Sequence, residues 1–353
     1  MSGSAKIKTG RPRLGLSGWI YTLRRTVQGF WSNSGLDKAA MLTYYTVLSF
    51  APTLLAVYSI ATLFLANNAE LVSSLVDEFI TTYIPDEFQG LVTDIVTAVI
   101  GSAAGGVVGL IAGALTALWS ASAYVRAFSR CANSIYGQPE GRGLIWTWGT
   151  MLVTTVVLVV GLVLLAASVA MNESVVSAVF APVADPLGLT DTLNYLLKVF
   201  LPVWGWIQWP VILGLAIALI AVLYYYTPNV RLPKFRWFSP GSLVALAGVA
   251  LVVTGFYLYL LFFTALSSYG AIGTLLALMF TLWGANISLL LGVTVNAEME
   301  RTRQLKEGTA AESQIHLPLR GTTGALRKKA TWRQIEARGR QLRQEATSAA
   351  ESD

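Results

Sequence analysis

The uneven distribution of charged residues constrains this 353-residue chain more than any other feature of its sequence. Five blocks contain no Asp, Glu, Lys or Arg, namely 39–69, 95–125, 143–172, 199–230 and 237–297. The first four blocks are each about 30 residues long, and the last has 61 residues, which is enough for two crossings. Because a helix spans the hydrocarbon core of a bilayer with roughly 20 apolar residues, the pattern predicts six transmembrane helices.

The composition supports this prediction and excludes some kinds of site. Charged residues make up 12% of the chain and hydrophobic residues 54%, whereas an average soluble domain has roughly 25% charged residues. The single cysteine, Cys131, and the single histidine, His316, exclude a disulfide framework and a His/Cys metal cluster within one chain. We predict no cofactor. The net charge of +6 fits either nucleic acid or anionic lipid, so the placement of the charges has to decide.

The charges between the blocks orient the predicted helices. Segment 1–38 contains seven Lys/Arg and one acid, whereas segment 70–94 contains six acids and no base. The later segments continue this alternation, since 126–142 and 231–236 are basic and 173–198 is acidic. Lys and Arg are enriched in cytoplasmic loops, so both termini are predicted to be cytoplasmic. The predicted fold class is an all-α integral membrane protein, a six-helix bundle with amphipathic helices on its outer face.

The chain divides into three predicted regions. Residues 1–38 form a basic cytoplasmic segment with an interfacial amphipathic helix, 39–299 form the membrane domain, and 300–353 form a cytoplasmic tail of mixed, mainly basic charge. The predicted crossings are approximately 39–66, 105–126, 144–171, 199–226, 240–265 and 271–297.

The basic N-terminal segment has helical periodicity. Apolar residues between Trp19 and Trp31 recur at helical spacing beside Arg24 and Arg25. This pattern predicts a helix on the inner leaflet, with Arg24 and Arg25 at the anionic headgroups; a helix packed under the bundle is the alternative. We expect no cleaved signal peptide, because no short apolar run with a small-residue cleavage site follows the basic stretch.

Two further patterns concern the outer face and the fourth crossing. Spacings of three and four in 71–80 and 88–99 predict two amphipathic helices that form an acidic outer cap. Pro202 and Pro210 lie in the fourth crossing. Since each proline removes an intrahelical hydrogen bond, we predict a kinked or broken start for that helix.

Polar residues cluster in the cytoplasmic half of the predicted bundle. Unpaired polar groups are costly in hydrocarbon, so these side chains should face the bundle interior or a wet cavity. Two interpretations stay open: hydrogen bonds between helices, with an aromatic belt for the tyrosines, or the lining of a hydrophilic pathway. The predicted pathway residues are Tyr44, Tyr45, Ser49, Asn133, Tyr226, Asn286 and Asn296.

Four groups of residues carry a family resemblance. They are 39–52 (AAMLTYYTVLSFAP), 132–136 (ANSIY) with Arg142, 226–228 (YTP) followed by Trp237 and 240–242 (PGS), and Tyr269-Gly270 with Trp283 and the stretch from Leu290 to Glu298. Together, over roughly residues 25–303, they resemble the signature segments of the YihY/BrkB family of bacterial inner-membrane proteins.

The resemblance implies a multi-pass protein of the bacterial cytoplasmic (inner) membrane. The predicted partners, which follow from the basic N-terminal helix, the basic tails and the acidic cap, are lipids of the anionic inner leaflet, with envelope proteins as further candidates. Residues that stand in the family motifs join the candidate functional set; they are Pro52, Pro228, Gly241, Tyr269, Gly270, Trp283 and Glu298.

One position departs from the family pattern. Family members commonly carry an acidic residue two positions after the glycine that corresponds to Gly292, whereas this chain has Thr294. If the family couples transport to protons through that carboxylate, this chain needs another group. Glu298 is the nearest candidate.

Members of the family have long been labelled ribonucleases, and the residues argue against that activity. RNA hydrolysis needs a metal cluster or a positioned acid/base pair. His316 stands alone, and the dense acidic segment 70–94 is predicted to face outward. We therefore predict that the chain is not an enzyme and binds no nucleic acid. For the basic stretch 327–343, a solvated tail, a leaflet- or partner-binding helix and a nucleic-acid contact all stay open.

Two functions follow from the sequence. The first is a transporter or flippase of a lipid or another amphipathic envelope component, moving a headgroup along the predicted pathway. The alternative is a non-transporting scaffold that anchors envelope partners through its basic tails and acidic outer cap. The patterns name no cargo and no oligomeric state.

Overall fold

The computed structural model describes residues 14–64, 106–171, 190–232, 237–263 and 270–352, together with single positions between 74 and 97 and at 173, 176, 177 and 235. In these ranges the regular elements are helices, and the extended pairing is a single antiparallel bridge between Val230 and Leu319. The helices are α1 Gly15–Ser32, α2 Gly35–Phe64, α3 Gly106–Ile135, α4 Leu144–Ala170, α5 Thr190–Tyr195, α6 Leu201–Tyr226, α7 Pro240–Phe263, α8 Gly270–Lys306 and α9 Thr323–Ser352.

Among the residues that the structure describes, four stretches of helix are long and apolar enough to cross a membrane. They are Leu144–Val169, Leu196–Tyr226, Pro240–Phe262 and Leu275–Lys306, and they correspond to the predicted third to sixth crossings. The first two predicted crossings coincide with α2 and α3, which are not among these four. The count of six crossings therefore stays a prediction. The predicted outer cap lies almost entirely outside the described residues.

The helix contacts close a ring. Around it, α2 packs on α3, α3 on α4, α4 on α6, α6 on α7, α7 on α8, and α8 back on α2. The closest packing is between α7 and α8 and between α2 and α3. α1 lies outside the ring against α8, and a two-residue turn joins α1 to α2. Gly35 is required there, because a Cβ would lie 2.5 Å from the Phe30 ring.

The hydrophobic core lies at one end of the bundle that these helices form. Leu42, Phe128 and Leu290 are less than 2% exposed, and the rings of Phe128 and Tyr224 stack with centroids 6.1 Å apart. Leu42 lies near the N-terminal end of α2, Phe128 and Tyr224 lie near the C-terminal ends of α3 and α6, and Leu290 lies in the second half of α8. That end corresponds to the predicted cytoplasmic half of the bundle.

The start of the fourth predicted crossing is irregular, as its prolines predict. A π-helical turn, Leu196–Phe200, joins α5 to α6. Pro202 follows in the first turn of α6, and Pro210 lies inside the same helix. Since proline lacks the N–H that would bond to a carbonyl of the preceding turn, each of these prolines leaves one intrahelical hydrogen bond unmade.

Candidate functional site

A cavity of about 570 Å³ lies at the centre of the ring. Side chains of α2, α3, α4, α6, α7 and α8 line it, and most of them are Leu, Val, Ile or Ala. None of the lining residues is Asp, Glu, Lys or Arg. The polar lining residues are Thr46, Ser49, Tyr124, Thr155 and Asn286. The cavity is therefore apolar and uncharged, with a small number of hydroxyl and amide groups in its wall.

Asn286 joins three helices at this cavity. Its side-chain oxygen accepts a hydrogen bond from the Tyr124 hydroxyl at 2.9 Å. Its Nδ2 donates to the carbonyl of Leu282 at 2.9 Å and, at 3.3 and 3.4 Å, to the hydroxyls of Thr43 and Thr46. Asn286 is 3% exposed. Since every one of these groups is neutral, the cluster is a polar site without a charge.

The cavity ends at the hydrophobic core. Its α8 lining residues run from Leu282 to Leu289, and the next residue, Leu290, is fully buried in the core. At the side of the ring, the lining residues Phe50 and Leu162 are about half exposed. The cavity therefore lies on the α2 C-terminal side of the core, and packed side chains close its other end.

The structure separates the predicted pathway residues of α2. Tyr44 is 62% exposed and packs edge to face on Tyr45, with ring centroids 5.5 Å apart. Tyr45 is half-buried on another face of α2. Ser49 is buried, lines the cavity and donates to the Tyr45 carbonyl at 2.6 Å. Pro52 lies in the same helix. Among the predicted pathway residues, Ser49 and Asn286 are the two that line the central cavity.

Asn133 belongs to a buried cluster, which we call the latch, between the ends of α3 and α6. Asn133 donates to Glu140 at 2.7 Å and accepts from the backbone N–H of Asn229 at 2.6 Å. The amide of Asn229 donates to the carbonyls of Pro139 and Gly321, both at 3.0 Å. The latch thus joins the loops after α3 and α6 to the segment before α9.

Arg142 is the charged centre of the latch. Its Nε and Nη2 both bond to the Glu140 carboxylate at 2.8 Å, and Nη2 also donates to the Ser129 hydroxyl and the Thr227 carbonyl. Arg142 is 8% exposed. Burial alone would raise the pKa of Glu140, but the hydrogen bonds and charge of Arg142, with a further bond from Asn133, hold that pKa below its usual value.

Tyr226 and Pro228 flank the latch. The Tyr226 carbonyl accepts a bond from Arg142 at 3.4 Å, whereas its side chain is 41% exposed. The Arg320 guanidinium lies 4.9 Å from the Tyr225 ring and 5.9 Å from the Tyr226 ring. Pro228 is fully buried. These positions give both residues a packing role in the loop after α6.

Gly241 and Asn296 meet where α7 begins against α8. The Gly241 N–H donates to the Asn296 side-chain oxygen at 3.0 Å, and the Asn296 amide donates to the Ser239 hydroxyl at 3.1 Å. A Cβ on Gly241 would overlap the Gly292 carbonyl and lie 2.6 Å from the Asn296 amide carbon. Two glycines thus let the backbones of α7 and α8 touch.

Glu298 holds α1 against α8. Its carboxylate accepts bonds from Arg301 at 2.8 Å and from Arg25 at 3.3 Å. The Thr22 and Thr302 hydroxyls are hydrogen-bonded to each other at 2.8 Å in the same interface. The Thr294 hydroxyl bonds to the Leu290 carbonyl within α8. In this conformation the proton-coupling candidate Glu298 is therefore engaged with two guanidinium groups.

α1 buries Gly18, Thr22, Thr26 and Phe30 and turns most of its apolar residues outward. The apolar residues that it exposes are Leu16, Trp19, Ile20, Leu23, Val27 and Trp31. Arg24 is exposed beside them, whereas Arg25 is half-buried in its ion pair. The helix therefore packs on the bundle, and its exposed face keeps the composition of an interfacial helix.

The remaining candidates lie in α8 or beside it. The Trp283 ring N–H donates to the Leu36 carbonyl at 3.2 Å, which ties α8 to the start of α2. Gly270 is the first residue of α8. Tyr269 lies outside the described residues.

Sequence reasoning missed several partners that complete these clusters. Tyr124, Asn229 and Arg301 each form buried contacts with a predicted residue. The sequence does offer a signal for the pairing of Glu140, because Glu140 is the single acidic residue in the basic segment 126–142 and stands two positions before Arg142. Asn229 is 96 positions from Asn133, and no periodicity in one helix reveals such a pairing.

The described residues contain no group of three or more His, Cys, Asp or Glu that could hold a metal ion. The residues described above form neutral hydrogen bonds around the cavity and ion pairs at the ends of the helices.

The apolar helices and their packing define a helical membrane protein. The chain belongs to the BrkB virulence factor family, because the family model described as Virulence factor BrkB matches residues 26–316.

A curated relative matches most of this chain. The chain is 27% identical over 285 residues to YfkH of Bacillus subtilis (strain 168), which is named as a ribonuclease-like protein. The match covers 78% of this chain and 94% of the relative. No solved structure matches the chain.

The Glu298 contacts give a first testable prediction. In the Glu298→Gln variant, trypsin is expected to cleave after Arg24 and Arg25 several-fold faster than in the wild type. Removing one partner of a buried ion pair leaves the other charge uncompensated, so α1 should detach from α8 more often. Limited proteolysis of the detergent-purified protein, followed by mass spectrometry, measures this rate.

The control for this prediction is Glu336→Gln. Glu336 is exposed on α9, away from the contact between α1 and α8, so its loss should leave the cleavage rate after Arg24 and Arg25 at the wild-type value. Equal rates in Glu298→Gln and the wild type would show that Glu298 does not hold α1 in place.

Proposed function

We propose that this BrkB family protein is a transporter that moves a lipid or another amphipathic envelope component across the bacterial inner membrane. The observation that carries the proposal is the central cavity of about 570 Å³, with its aliphatic walls and its uncharged cluster at Asn286. Ligand sites commonly measure roughly 300–1,000 Å³ and combine apolar walls with a few polar groups. The cavity falls within that range.

The lining chemistry favours an amphipathic cargo over a bare ion. An ion loses its hydration shell on entering a site and needs charged groups or several convergent oxygens in exchange. The lining residues carry no charge, and the oxygens near Asn286 are already hydrogen-bonded to one another. An acyl chain fits the aliphatic wall, and a hydroxyl or ester group of the cargo can exchange hydrogen bonds with Asn286 and Tyr124.

Transport requires the closed end of the cavity to open. The core around Leu42, Phe128 and Leu290 blocks that end, so the structure represents one access state in the proposed cycle. The complementary state would separate these side chains and give Asn286 access from the other side of the bundle.

The proposed topology has six crossings, with both termini in the cytoplasm. α2 and α3 complete the same ring as the four strongly apolar helices, which supports counting them as crossings. The basic residues Arg142, Arg301 and Arg320 lie at the core end of the ring, and positively charged ends stay in the cytoplasm. We propose the same three regions that the sequence indicates, 1–38, 39–299 and 300–353.

We also propose that the chain lacks nuclease activity, although its relative is named as a ribonuclease-like protein. The buried carboxylates of Glu140 and Glu298 are each bound to arginines. Both are engaged in holding segments together. A scaffold without transport is the function that remains if the assay below fails.

Reconstitution into liposomes with fluorescent phospholipids tests the transporter. We expect wild-type protein to move labelled lipid between leaflets faster than protein-free liposomes, with or without a proton gradient. The Ala216→Phe variant should lose most of this activity, because Ala216 lines the cavity and the added ring would fill it. The control is Leu213→Phe, which enlarges a half-exposed residue on the outer face of the same helix.

The outcomes separate the alternatives. Movement at the protein-free rate with wild-type protein, under proton and sodium gradients, would overturn the transporter and leave the scaffold. Equal activity of wild type and a folded Ala216→Phe variant would show that the cargo does not use the central cavity.

A further inference from the structure

We propose that Arg126 and Arg130 of α3 bind the phosphate group of an anionic phospholipid in the inner leaflet. This site lies on α3 between the aromatic residues of α2 and α4, and its lining does not belong to the central cavity. It rests on the proposed topology in one respect, because that topology places this end of α3 at the inner leaflet.

Aromatic rings hold the Arg126 guanidinium in place. The rings of Trp119 and Trp148 stack with centroids 4.3 Å apart and an interplanar angle of 29°. The Arg126 guanidinium lies 4.4 Å from the Trp148 ring and 5.7 Å from the Trp119 ring, and it donates to the Ser122 hydroxyl. The ring contacts are not hydrogen bonds, and the bond to Ser122 uses one nitrogen of the guanidinium, so N–H donors remain that a ligand can engage.

Arg130 supplies the second charge on the same face of α3. It stands four residues after Arg126, is exposed, and lies with its guanidinium 5.8 Å from the Tyr45 ring. Like charges at this spacing repel each other on a helix. In the described part of the chain, neither arginine forms an ion pair with a carboxylate. An anion between them would remove the repulsion.

The surroundings indicate a lipid headgroup as the source of that anion. Arg126 follows directly on the charge-free block 95–125, so it stands at the edge of a hydrophobic segment. Leu144, Ile145 and Trp146 at the start of the neighbouring α4 are 76–86% exposed. An exposed indole ring such as that of Trp146 sits at the level of the headgroups. The two arginines therefore lie where lipid phosphates lie.

The chemistry selects an anionic lipid over a zwitterionic one. Guanidinium groups bind phosphate oxygens through paired N–H donors. A phosphatidylcholine headgroup would bring its own cation towards the two arginines, whereas phosphatidylglycerol brings a net negative charge. We therefore expect phosphatidylglycerol to bind more tightly than phosphatidylcholine.

Native mass spectrometry of the full chain in detergent tests the site, with each lipid titrated separately. Wild-type protein should retain phosphatidylglycerol with at least about tenfold higher affinity than phosphatidylcholine, corresponding to about 1.4 kcal/mol. The double variant Arg126→Gln/Arg130→Gln should lose most of this preference. The control Arg338→Gln/Arg340→Gln removes two positive charges from the exposed helix α9 and should bind as the wild type does.

A second variant distinguishes the loss of the binding site from a folding defect. Trp148→Leu keeps both charges but removes the ring that fixes Arg126, so it should weaken phosphatidylglycerol binding by several-fold. Thermal unfolding of each variant establishes that it is folded. Retained preference in folded Arg126→Gln/Arg130→Gln, or equal binding of both lipids by the wild type, overturns the proposal.

Two more outcomes are decisive. If inorganic phosphate at millimolar concentration displaces phosphatidylglycerol completely, the site binds soluble phosphate and the lipid assignment is wrong. If the arginines bind phosphatidylglycerol but liposomes show no lipid movement, the lipid site stands and the transporter proposal falls.

Discussion

The Gly241→Ala variant is expected to lose about 3 kcal/mol of its free energy of unfolding or more, at the upper end of the cost of overpacking a core. A methyl group at Gly241 would overlap the Gly292 carbonyl and press on the Asn296 amide. Backbone of α8 cannot move aside as the tip of a flexible side chain can. The close pair α7–α8 would therefore have to separate, with loss of the Gly241–Asn296 hydrogen bond.

The measurement is thermal and denaturant unfolding of the detergent-purified protein, followed by tryptophan fluorescence. The matched control is Gly255→Ala in the same helix, where no atom lies within 4 Å of the added Cβ. That control should unfold like the wild type or gain up to about 1 kcal/mol from the better helix propensity of alanine. A Gly241→Ala protein as stable as Gly255→Ala would show that the helices are not in backbone contact.

The Arg142→Met variant should have the second large effect, a loss of about 3 kcal/mol from the free energy of unfolding. Breaking a buried ion pair costs roughly 3–5 kcal/mol, and the lower end applies because the Glu140 side chain is 32% exposed. The variant removes the guanidinium that pairs with the Glu140 carboxylate and donates to the Thr227 carbonyl, and the carboxylate keeps its side-chain bond from Asn133. The same unfolding assay measures the loss.

Its control is Arg338→Met on α9. Arg338 pairs with Glu345 at 3.8 Å, and both side chains are more than 60% exposed. Exposed pairs of this kind contribute little to stability, so the control should unfold like the wild type. Equal losses in the two variants would contradict the structural role of the latch.

The latch also predicts a dependence on pH. Because the pKa of Glu140 is held below its usual value of 4.5 in the folded protein, its stabilising contribution is fully present at neutral pH. It is lost as the pH falls below 4.5 and through the lower folded-state pKa. Glu140→Gln should therefore show a smaller loss of stability than the wild type over this acidic range. Parallel losses in both proteins would assign the acid sensitivity to other groups.

The helical architecture was largely predictable because its cause is local. Long apolar stretches without charge satisfy their backbone hydrogen bonds in a membrane by forming helices, and the third to sixth predicted crossings correspond to the four strongly apolar spans. The prolines of the fourth crossing likewise act within their own helix, and a π-helical turn lies directly before Pro202. The amphipathic pattern of α1 also depends only on residues three and four apart.

The candidate site was less predictable, because its members come from distant parts of the chain. Tyr124 and Asn286 are 162 positions apart, and their hydrogen bond depends on which helices are neighbours in the ring. The sequence grouped Asn133, Asn296 and Asn286 by depth in the membrane. The structure places them in the latch, at the α7–α8 contact and at the central cavity, respectively.

By itself, the sequence determined that this chain forms apolar helices and which of its segments carry the basic and acidic charges. Both properties arise from residues close together in the chain and from the cost of placing charge in hydrocarbon. The tertiary structure alone decided that the polar residues are divided among separate clusters around a packed core. Helix packing decides this, because a side chain's partner depends on how closely the neighbouring backbones approach, as they do at Gly241 and Gly292.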